Sequence, residues 1–214
     1  MEAGEEKAMY KEKFRREILD AARNLFVNEG YEKFSMRKLA ERIGYSPTTI
    51  HFYFKHKDDL LLAICEEIAE RFFADLTNIR TAHNDPLESL RQALLYLVEF
   101  GFNNPDKYKV FFITSPLVYG TLDEFMEKET MARSSYLVLR EIVRNCIVTG
   151  KLQEIDTDVL AQVLTVATCG LAALTIYKTG FPWIDRNVLA HTLVEGLLRG
   201  YMTSNTNHSF KYQI

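Results

Sequence analysis

Apolar residues recur at helical spacing along nearly the whole chain, and no stretch keeps the alternation of apolar and polar residues that a strand requires. The first series, with Phe14, Ile18 and Leu25, predicts a helix over about 9–28, with residues 1–8 frayed. Proline, glycine and asparagine divide the rest into further helices, predicted over about 58–81, 86–103, 105–114, 122–148, 156–178 and 185–201, with a loop over 116–121 and a loose tail from Thr203. The pattern therefore predicts an all-α protein.

Two short helices joined by a tight turn are predicted between residues 35 and 54. Ser35 is a suitable N-cap for the first helix, and Ser46 is a suitable N-cap for the second. Gly44 lies between them, where the backbone has to adopt a positive φ. Ala40 provides a small side chain where two steeply crossing helices touch. This spacing is typical of a helix-turn-helix motif.

Basic residues accompany the motif. Residues 33–57 contain six Lys or Arg and one Glu. Residues 1–57 carry 12 basic and 9 acidic side chains, whereas the rest of the chain carries 14 basic and 20 acidic ones. This asymmetry localises any DNA contact to the first quarter of the chain. A helical hairpin within a larger core is the alternative interpretation, and it leaves the charge pattern unexplained.

Residues 18–61, ILDAARNLFVNEGYEKFSMRKLAERIGYSPTTIHFYFKHKDDLL, resemble the DNA-binding domain of the TetR family of bacterial transcriptional regulators. The resemblance includes the helix before the motif and the F-x-x-K-D-D-L entry to the next helix. It implies an N-terminal three-helix DNA-binding domain, residues 9–57, followed by a helical-bundle domain, residues 58–202, for effector binding and dimerisation. Family members are mostly dimeric repressors that a small molecule releases from DNA.

By position, the resemblance implies a set of DNA-contacting side chains, namely Arg37, Ser46, Thr48, Thr49, His51, Tyr53 and Lys57. The threonine methyl groups suit thymine and Arg37 suits guanine, both read at base edges. Tyr53 and Lys57 are expected at phosphates, where they set position rather than sequence. His51 stands where the family usually has Tyr, and it is expected near base edges.

The composition, 47% hydrophobic and 26% charged over 214 residues, describes an ordinary globular protein. Cys65, Cys146 and Cys169 show neither disulfide nor metal-ligand spacing, which is typical of the cytoplasm, and no metal or cofactor is expected. The charged start is not expected to be a signal peptide. Residues 159–177 carry no charge and reach the length of a membrane span, yet their polar residues favour a helix buried by a partner.

The last two predicted helices, about 156–178 and 185–201, combine bulky and small residues, such as Leu164 and Gly170 on one and Leu193 and Gly196 on the other. Small residues let helices approach closely, so two such helices from each chain would form a four-helix homodimer interface. The alternative is that they complete the core of a monomer. A dimer is preferred because one recognition helix reads too few bases to be selective.

Aromatic residues are concentrated between the helix that follows the motif and the predicted dimer helices. They are interpreted as the lining of a pocket for a small hydrophobic effector, and the candidate residues are Phe73, Tyr96, Phe100, Phe112, Tyr119, Phe125 and Trp183. Ordinary core packing is the alternative for each of them.

The sequence thus predicts a dimeric DNA-binding transcriptional repressor, released from a palindromic operator by a hydrophobic small molecule and located in the cytoplasm. One alternative is a DNA-binding regulator without an effector. An all-α enzyme is a further alternative, but no catalytic residues can be named: the five histidines are scattered, and no triad, phosphate loop or metal cluster is apparent.

Overall fold

The computed structural model describes residues 2–114 and 118–203, which are predominantly helical. In chain order they form α1 (Glu2–Glu29), α2 (Met36–Ile43), α3 (Pro47–Tyr53), α4 (Lys57–Ala82), α5 (Pro86–Asn103), α6 (Pro105–Tyr108), a π-helical turn (Lys109–Ile113), α7 (Leu122–Glu127), α8 (Met131–Val148), α9 (Thr157–Tyr177) and α10 (Arg186–Tyr201). The only β pairing in these residues is an isolated antiparallel bridge between Leu152 and Met202. The all-α prediction is therefore confirmed.

Side-chain caps fix several helix starts where the sequence predicts them. Asp156 accepts a hydrogen bond of 2.9 Å from the backbone N–H of Val159 at the start of α9, and Asp185 caps α10 in the same way. Thr121 and Glu124 form a reciprocal capping box at the start of α7. Each cap satisfies backbone donors that have no partner inside the helix.

The first helix begins earlier than the sequence predicts. Because α1 starts at Glu2, the expectation that residues 1–8 are frayed is wrong for residues 2–8. Side chains 5–13 are exposed, so this part of the helix is not held by burial. It consists mostly of Glu, Lys, Ala and Met, which have high helix propensity and extend a helix already anchored further along.

The single helix predicted over 122–148 is also wrong, because α7 ends at Glu127 and α8 begins at Met131. The backbone of Lys128 is extended there, with φ −72° and ψ 133°. The carboxylate of Glu66 accepts hydrogen bonds from the N–H groups of Met131 and Ala132, at 2.6 and 3.3 Å. Thr130 caps the same helix locally, since its hydroxyl accepts from the N–H of Arg133 at 3.1 Å, but the contacts of Glu66 come from a residue too distant in the sequence to leave a local signal.

The segment predicted as a helix over 105–114 forms α6 and the π-helical turn. Residues 118–120 of the predicted loop form a turn, whereas 115–117 and the predicted loose tail from 204 onwards lie outside the described residues.

The helices pack as two units. One comprises the chain up to Phe73 together with Asn103–Ser135, and the other comprises Ala74–Phe102 together with the chain from Tyr136 onwards. The boundaries fall within α4, α5 and α8, so each of these helices contributes residues to both units.

The core of the first unit is built largely from α1 to α4. Its fully buried side chains include Ile18, Phe26, Leu39, Ile50 and Leu61. The segment after α5 belongs to the same core, since Tyr108 and Val110 are fully buried as well. Lys109 donates a hydrogen bond of 2.5 Å to the carbonyl oxygen of Val27, which is one of the carbonyls left unpaired near the end of α1.

The core of the second unit is formed by α5, α8, α9 and α10. Leu90, Val143, Leu164 and Val194, one from each helix, are buried with at most 1% of their surface exposed. Arg91 of α5 links two of these helices, because its Nε donates to Oε1 of Glu195 in α10 at 2.5 Å. The same guanidinium pairs with Glu88 one turn earlier.

Helix α9 is the one helix in the described residues that is long and apolar enough to cross a membrane by length and composition. A single such helix is weak evidence for a membrane span, since core helices of soluble proteins pass the same test. Its exposed side chains are considered below.

Candidate DNA-binding site

The first helix of the motif, α2, is fixed at both ends as the sequence predicts. The Ser35 hydroxyl accepts a hydrogen bond of 3.2 Å from the N–H of Lys38. Gly44 closes the helix with φ 73°, a conformation that glycine adopts without the penalty of a Cβ atom. Between these ends Ala40 is completely buried, as the crossing of two helices requires.

The second helix, α3, is the candidate recognition helix. The Ser46 hydroxyl accepts from the N–H of Thr49 at 3.1 Å, and Pro47 occupies the first turn. Ile50 is completely buried and anchors the helix, and Phe54 just after it is buried too. These contacts hold one face of α3 against the core and leave the other face to solvent.

The first helix supports the recognition helix from behind. The ring of Phe14 lies 4.4 Å from that of Tyr45 and 5.1 Å from that of Tyr53. Further along α1, Phe26 stacks on Phe34 at 4.3 Å. Because Tyr53 packs on Phe14 and is half-buried, its ring is fixed and only part of it reaches the surface.

The predicted base-contacting side chains differ in how free they are. Arg37 is 82% exposed and forms an ion pair of 2.9 Å with Glu41, one turn further along. Thr48 is exposed on α3. The Thr49 hydroxyl lies 2.9 Å from the Ser46 hydroxyl, so both are already engaged in the cap.

His51 is exposed on α3, but one of its ring nitrogens has a partner. Its Nδ1 lies 3.1 Å from the carbonyl oxygen of Lys55. A carbonyl can only accept, so this contact requires a proton on Nδ1. In the neutral ring Nε2 is then an acceptor, which suits an exocyclic amino group of adenine or cytosine.

Lys57 is held at the start of α4 by Tyr31, a residue of the turn between α1 and α2. Its ammonium nitrogen donates to the carbonyl oxygen of Tyr31 at 3.2 Å and lies 3.8 Å from the centre of the Tyr31 ring. The Tyr31 hydroxyl in turn donates to Asp58. Burial and this bond to Asp58 raise the pKa of Tyr31 to about 12. An ammonium group has three donors, so Lys57 keeps capacity for a phosphate.

One exposed residue of α3 was not among those predicted. The Phe52 side chain is 78% exposed, and the Lys11 ammonium lies 5.9 Å from the centre of its ring. The sequence HFYF places four aromatic residues in succession, three at the end of α3 and Phe54 directly after it. Pattern alone does not decide which of them is buried.

The predicted effector residues of the first unit lie in separate groups. Phe112 belongs to a ring cluster with Phe72, Tyr108 and Phe111, with centroid distances of 4.8 to 5.7 Å from its ring. The rings of Tyr119 and Phe125 form a second group, 5.7 Å apart. Phe73 is half-buried on α4. The Tyr119 hydroxyl is not free, because it donates to Glu66 at 3.0 Å.

The remaining effector candidates lie in the second unit. The Tyr96 hydroxyl donates to Asp75 at 2.7 Å, and its ring lies 6.3 Å from that of Phe100, which is buried. The ring centroids of Trp183 and Phe181 lie 4.3 Å apart with the ring planes tilted by 49°, and the Trp183 indole N–H donates to the carbonyl oxygen of Lys178.

A groove of about 420 Å³ opens along α10 in the second unit. It is lined by Ile155, Thr192, Leu193, Gly196, Leu197, Gly200 and Tyr201. The described lining contains none of the seven aromatic residues predicted to bind an effector. In the described residues, no group of three or more His, Cys, Asp or Glu side chains is placed to hold a metal ion.

The geometry defines a class of protein, an all-α helix-turn-helix protein with an exposed recognition helix. Residues 18–64 match the family model described as bacterial regulatory proteins of the tetR family. The matched residues comprise the helix-turn-helix together with parts of the helices that precede and follow it.

Curated relatives match the first part of the chain. An HTH-type transcriptional repressor of Mycobacterium tuberculosis is 43% identical over 60 residues, which cover 28% of this chain and 32% of that protein. An HTH-type transcriptional regulator of Staphylococcus aureus is 29% identical over 90 residues, 42% of this chain and 49% of that protein. The matches thus span half or less of these relatives.

Solved structures share the fold over most of the chain. A tetR-family regulatory protein from Rhodococcus RHA1 has a TM-score of 0.70 at 20% identity, covering 89% of this chain and 98% of that chain. The transcriptional regulator FadR from Bacillus subtilis, in complex with stearoyl-CoA, has a TM-score of 0.70 at 19% identity, covering 86% and 97%. At these identities the likeness concerns the fold alone.

Proposed function

We propose that the chain is a homodimeric, cytoplasmic transcriptional repressor that binds a two-fold symmetric operator and leaves it when a hydrophobic small molecule binds. Residues 9–57 are the proposed DNA-binding domain, and residues 58–202 are the proposed effector-binding and dimerisation domain. The observation that carries the proposal is the capped recognition helix α3, with Ile50 buried on one face and Thr48 and His51 exposed on the other.

The proposed DNA contacts divide into two kinds. Arg37, Thr48, Thr49 and His51 read base edges, whereas Ser46, Tyr53 and Lys57 position the protein on phosphates. Residues 33–57 contain six basic residues and one acidic residue. This composition supports the assignment, because neutralisation of phosphates supplies much of the affinity for DNA.

The proposed dimer interface is formed by α9 and α10. An uncharged stripe runs along the exposed face of α9 through Val159, Val163, Val166, Leu174 and Tyr177. These positions recur at helical spacing, so they lie on one side of the helix. Val188 continues the exposed apolar surface on α10, which packs against α9. A second copy of the chain would remove this surface from water and bring two recognition helices to one operator.

The proposed effector is hydrophobic or amphipathic, and Phe73, Tyr96, Phe100, Phe112, Tyr119, Phe125 and Trp183 are its proposed contacts. The structural neighbour FadR was solved with stearoyl-CoA, which makes a long-chain acyl-CoA the first compound to test. The proposed switch acts through α4, where the Tyr96 and Tyr119 hydroxyls donate to Asp75 and Glu66. Effector binding changes the separation of recognition helices that must fit half-sites about 34–36 Å apart.

Selection of bound duplexes from a random pool, at several salt concentrations, tests the function. A two-fold symmetric consensus whose affinity falls steeply with salt is the expected result. A pool that shows no enrichment would contradict DNA recognition. Release of the selected duplex by stearoyl-CoA, with palmitate and free CoA as comparisons, tests the effector. Unchanged binding with every hydrophobic compound tried would favour a regulator without an effector.

A further inference from the structure

Phe52 is the most exposed large apolar side chain in the described residues, at 78% of its surface. It lies one helical turn after Thr48 on α3, and residues four apart share one face of a helix. The phenyl ring therefore emerges from the surface that carries the proposed base-reading side chains, rather than from the face that Ile50 anchors.

Among the described residues, the ring contacts of Phe52 do not explain this position. The ring of the adjacent Tyr53 lies with its centroid 5.6 Å from that of Phe52, at an interplanar angle of 75°. The Lys11 ammonium of α1 lies 5.9 Å from the centre of the Phe52 ring. Neither removes most of the ring from water, so the side chain gains little of the stabilisation that burial would give it.

The charge around Phe52 indicates what covers it. Lys11 places a cation beside the ring, and basic residues outnumber acidic ones six to one in 33–57. A polyanion complements this surface. Of the groups in the major groove of DNA, the C5 methyl group of thymine is the apolar one that a phenyl ring can contact.

We infer that Phe52 contacts a thymine methyl group and so contributes to the choice of operator sequence, with Lys11 beside it at a phosphate. The inference rests on the proposed function, since it assigns a further residue to the same DNA-binding surface. It predicts that part of the specificity is carried by an apolar contact and not by hydrogen bonds alone.

Replacing thymine by uracil in the selected operator tests the inference, because deoxyuridine lacks the methyl group and keeps every hydrogen-bonding atom. Each thymine of one half-site is replaced in turn, and affinity is measured for the wild type, Phe52→Ala, Phe52→Leu and Thr48→Ser. At one position the wild type should lose about fourfold in affinity per half-site, which corresponds to about 0.8 kcal/mol for one buried methyl group.

Phe52→Ala should bind the thymine and uracil duplexes equally well, whereas Phe52→Leu should keep part of the difference. Thr48→Ser removes the methyl group of the other exposed candidate for a thymine contact and should keep the full difference at the Phe52 position. Thermal unfolding of each variant verifies that the fold is intact, which is expected because Phe52 is exposed.

Several results would overturn the inference while leaving the proposed function intact. They are a wild type that does not distinguish thymine from uracil, a Phe52→Ala variant that still does, or loss of the difference in Thr48→Ser instead. A change in sedimentation caused by Phe52→Ala would also overturn it, since the ring would then cover a protein surface. Failure of the proposed function is recognised separately, by the absence of any enriched duplex.

Discussion

The hydroxyl of Tyr119 donates a hydrogen bond of 3.0 Å to Oε1 of Glu66. The same carboxylate accepts from the backbone N–H groups of Met131 and Ala132. It therefore both caps α8 and holds the turn that contains Tyr119. Removing the carboxylate leaves three partly buried donors without their acceptor. We expect Glu66→Ala to lower the free energy of unfolding by about 2–3 kcal/mol, measured by urea denaturation.

Tyr119→Phe is the matched control for Glu66→Ala. It removes one donor and keeps the ring and the helix cap, so its cost should be about 1 kcal/mol. The double variant should cost less than the sum of the two single ones, because the pair shares one hydrogen bond. Strict additivity would show that the bond contributes nothing to stability.

Arg91 is expected to contribute to stability through two carboxylates at once. Its guanidinium pairs with Glu195 and Glu88 in partly buried surroundings. We expect Arg91→Ala to cost about 1 kcal/mol in the free energy of unfolding, and less at high salt. Lys151→Ala is the control, because its 3.6 Å pair with Asp85 is half exposed at both ends and should change stability little.

The Arg91 cluster also predicts a loss of stability in acid. Hydrogen bonds from Gln92 and Arg91 lower the pKa of Glu88 below its ordinary value. A carboxyl group whose pKa is lower in the folded than in the unfolded protein stabilises the fold when the pH is above its unfolded-state pKa. This contribution is lost as the pH falls through its folded-state pKa. The decline of stability below about pH 4.5 should therefore be shallower in Glu88→Gln than in the wild type.

Two buried thiols predict a loss of stability in alkali. Burial raises the pKa of both Cys65 and Cys146 to about 12. The unfolded thiols ionise near pH 8.5, whereas the folded ones stay protonated, so stability is retained below that pH and declines above it. The slope should be at most about 1.4 kcal/mol per pH unit for each thiol. Under reducing conditions, a Cys65→Ala variant should lose stability less steeply than the wild type between about pH 9 and 11.

A charge placed on the uncharged stripe along the exposed face of α9 should disrupt the proposed dimer. Val166 is 71% exposed in the single chain, and Val148 on α8 is exposed to a similar extent, 65%. Val166→Glu should weaken dimerisation by about 2–3 kcal/mol, roughly a hundredfold, because burying an unpaired carboxylate is costly. Val148→Glu is the control. Sedimentation over a concentration series measures the dimerisation of both variants. Equal effects of the two substitutions would contradict the proposal that α9 forms part of the dimer interface.

Lys57→Ala should weaken binding to all DNA sequences alike and reduce the salt dependence by about one phosphate contact. Tyr31→Phe is the control, because it keeps the ring and the carbonyl that hold the Lys57 ammonium. A changed base preference in Lys57→Ala would show that Lys57 reads bases.

The sequence predicted those parts of the fold whose causes are local. Ser35, Gly44 and Ser46 act on backbone groups within a few residues, so the ends of α2 and α3 follow from sequence alone. The break before α8 follows only in part, because Thr130 caps the helix locally whereas Glu66 accepts from its first N–H groups from 65 residues away.

The candidate site shows the same limit. Residue types and charge indicated the candidate recognition helix, but the exposure of Phe52 depends on which face Ile50 turns inward. The hydroxyls of Tyr96 and Tyr119 were expected to face an effector, and they donate to Asp75 and Glu66. Such pairings depend on how distant segments meet, which periodicity does not report.

The bond between Lys109 and the carbonyl of Val27 has a consequence for the order in which the chain is made. The helix-turn-helix leaves the ribosome long before residues 103–135, which complete the same packed unit. Until then the Val27 carbonyl near the end of α1 lacks its Lys109 partner. The two segments are separated in the sequence by α2 to α5, so their contact closes a long loop. Closure of so long a loop is slow compared with helix formation. The nascent helices α1 to α3 therefore remain incompletely packed until a segment synthesised seconds later is available.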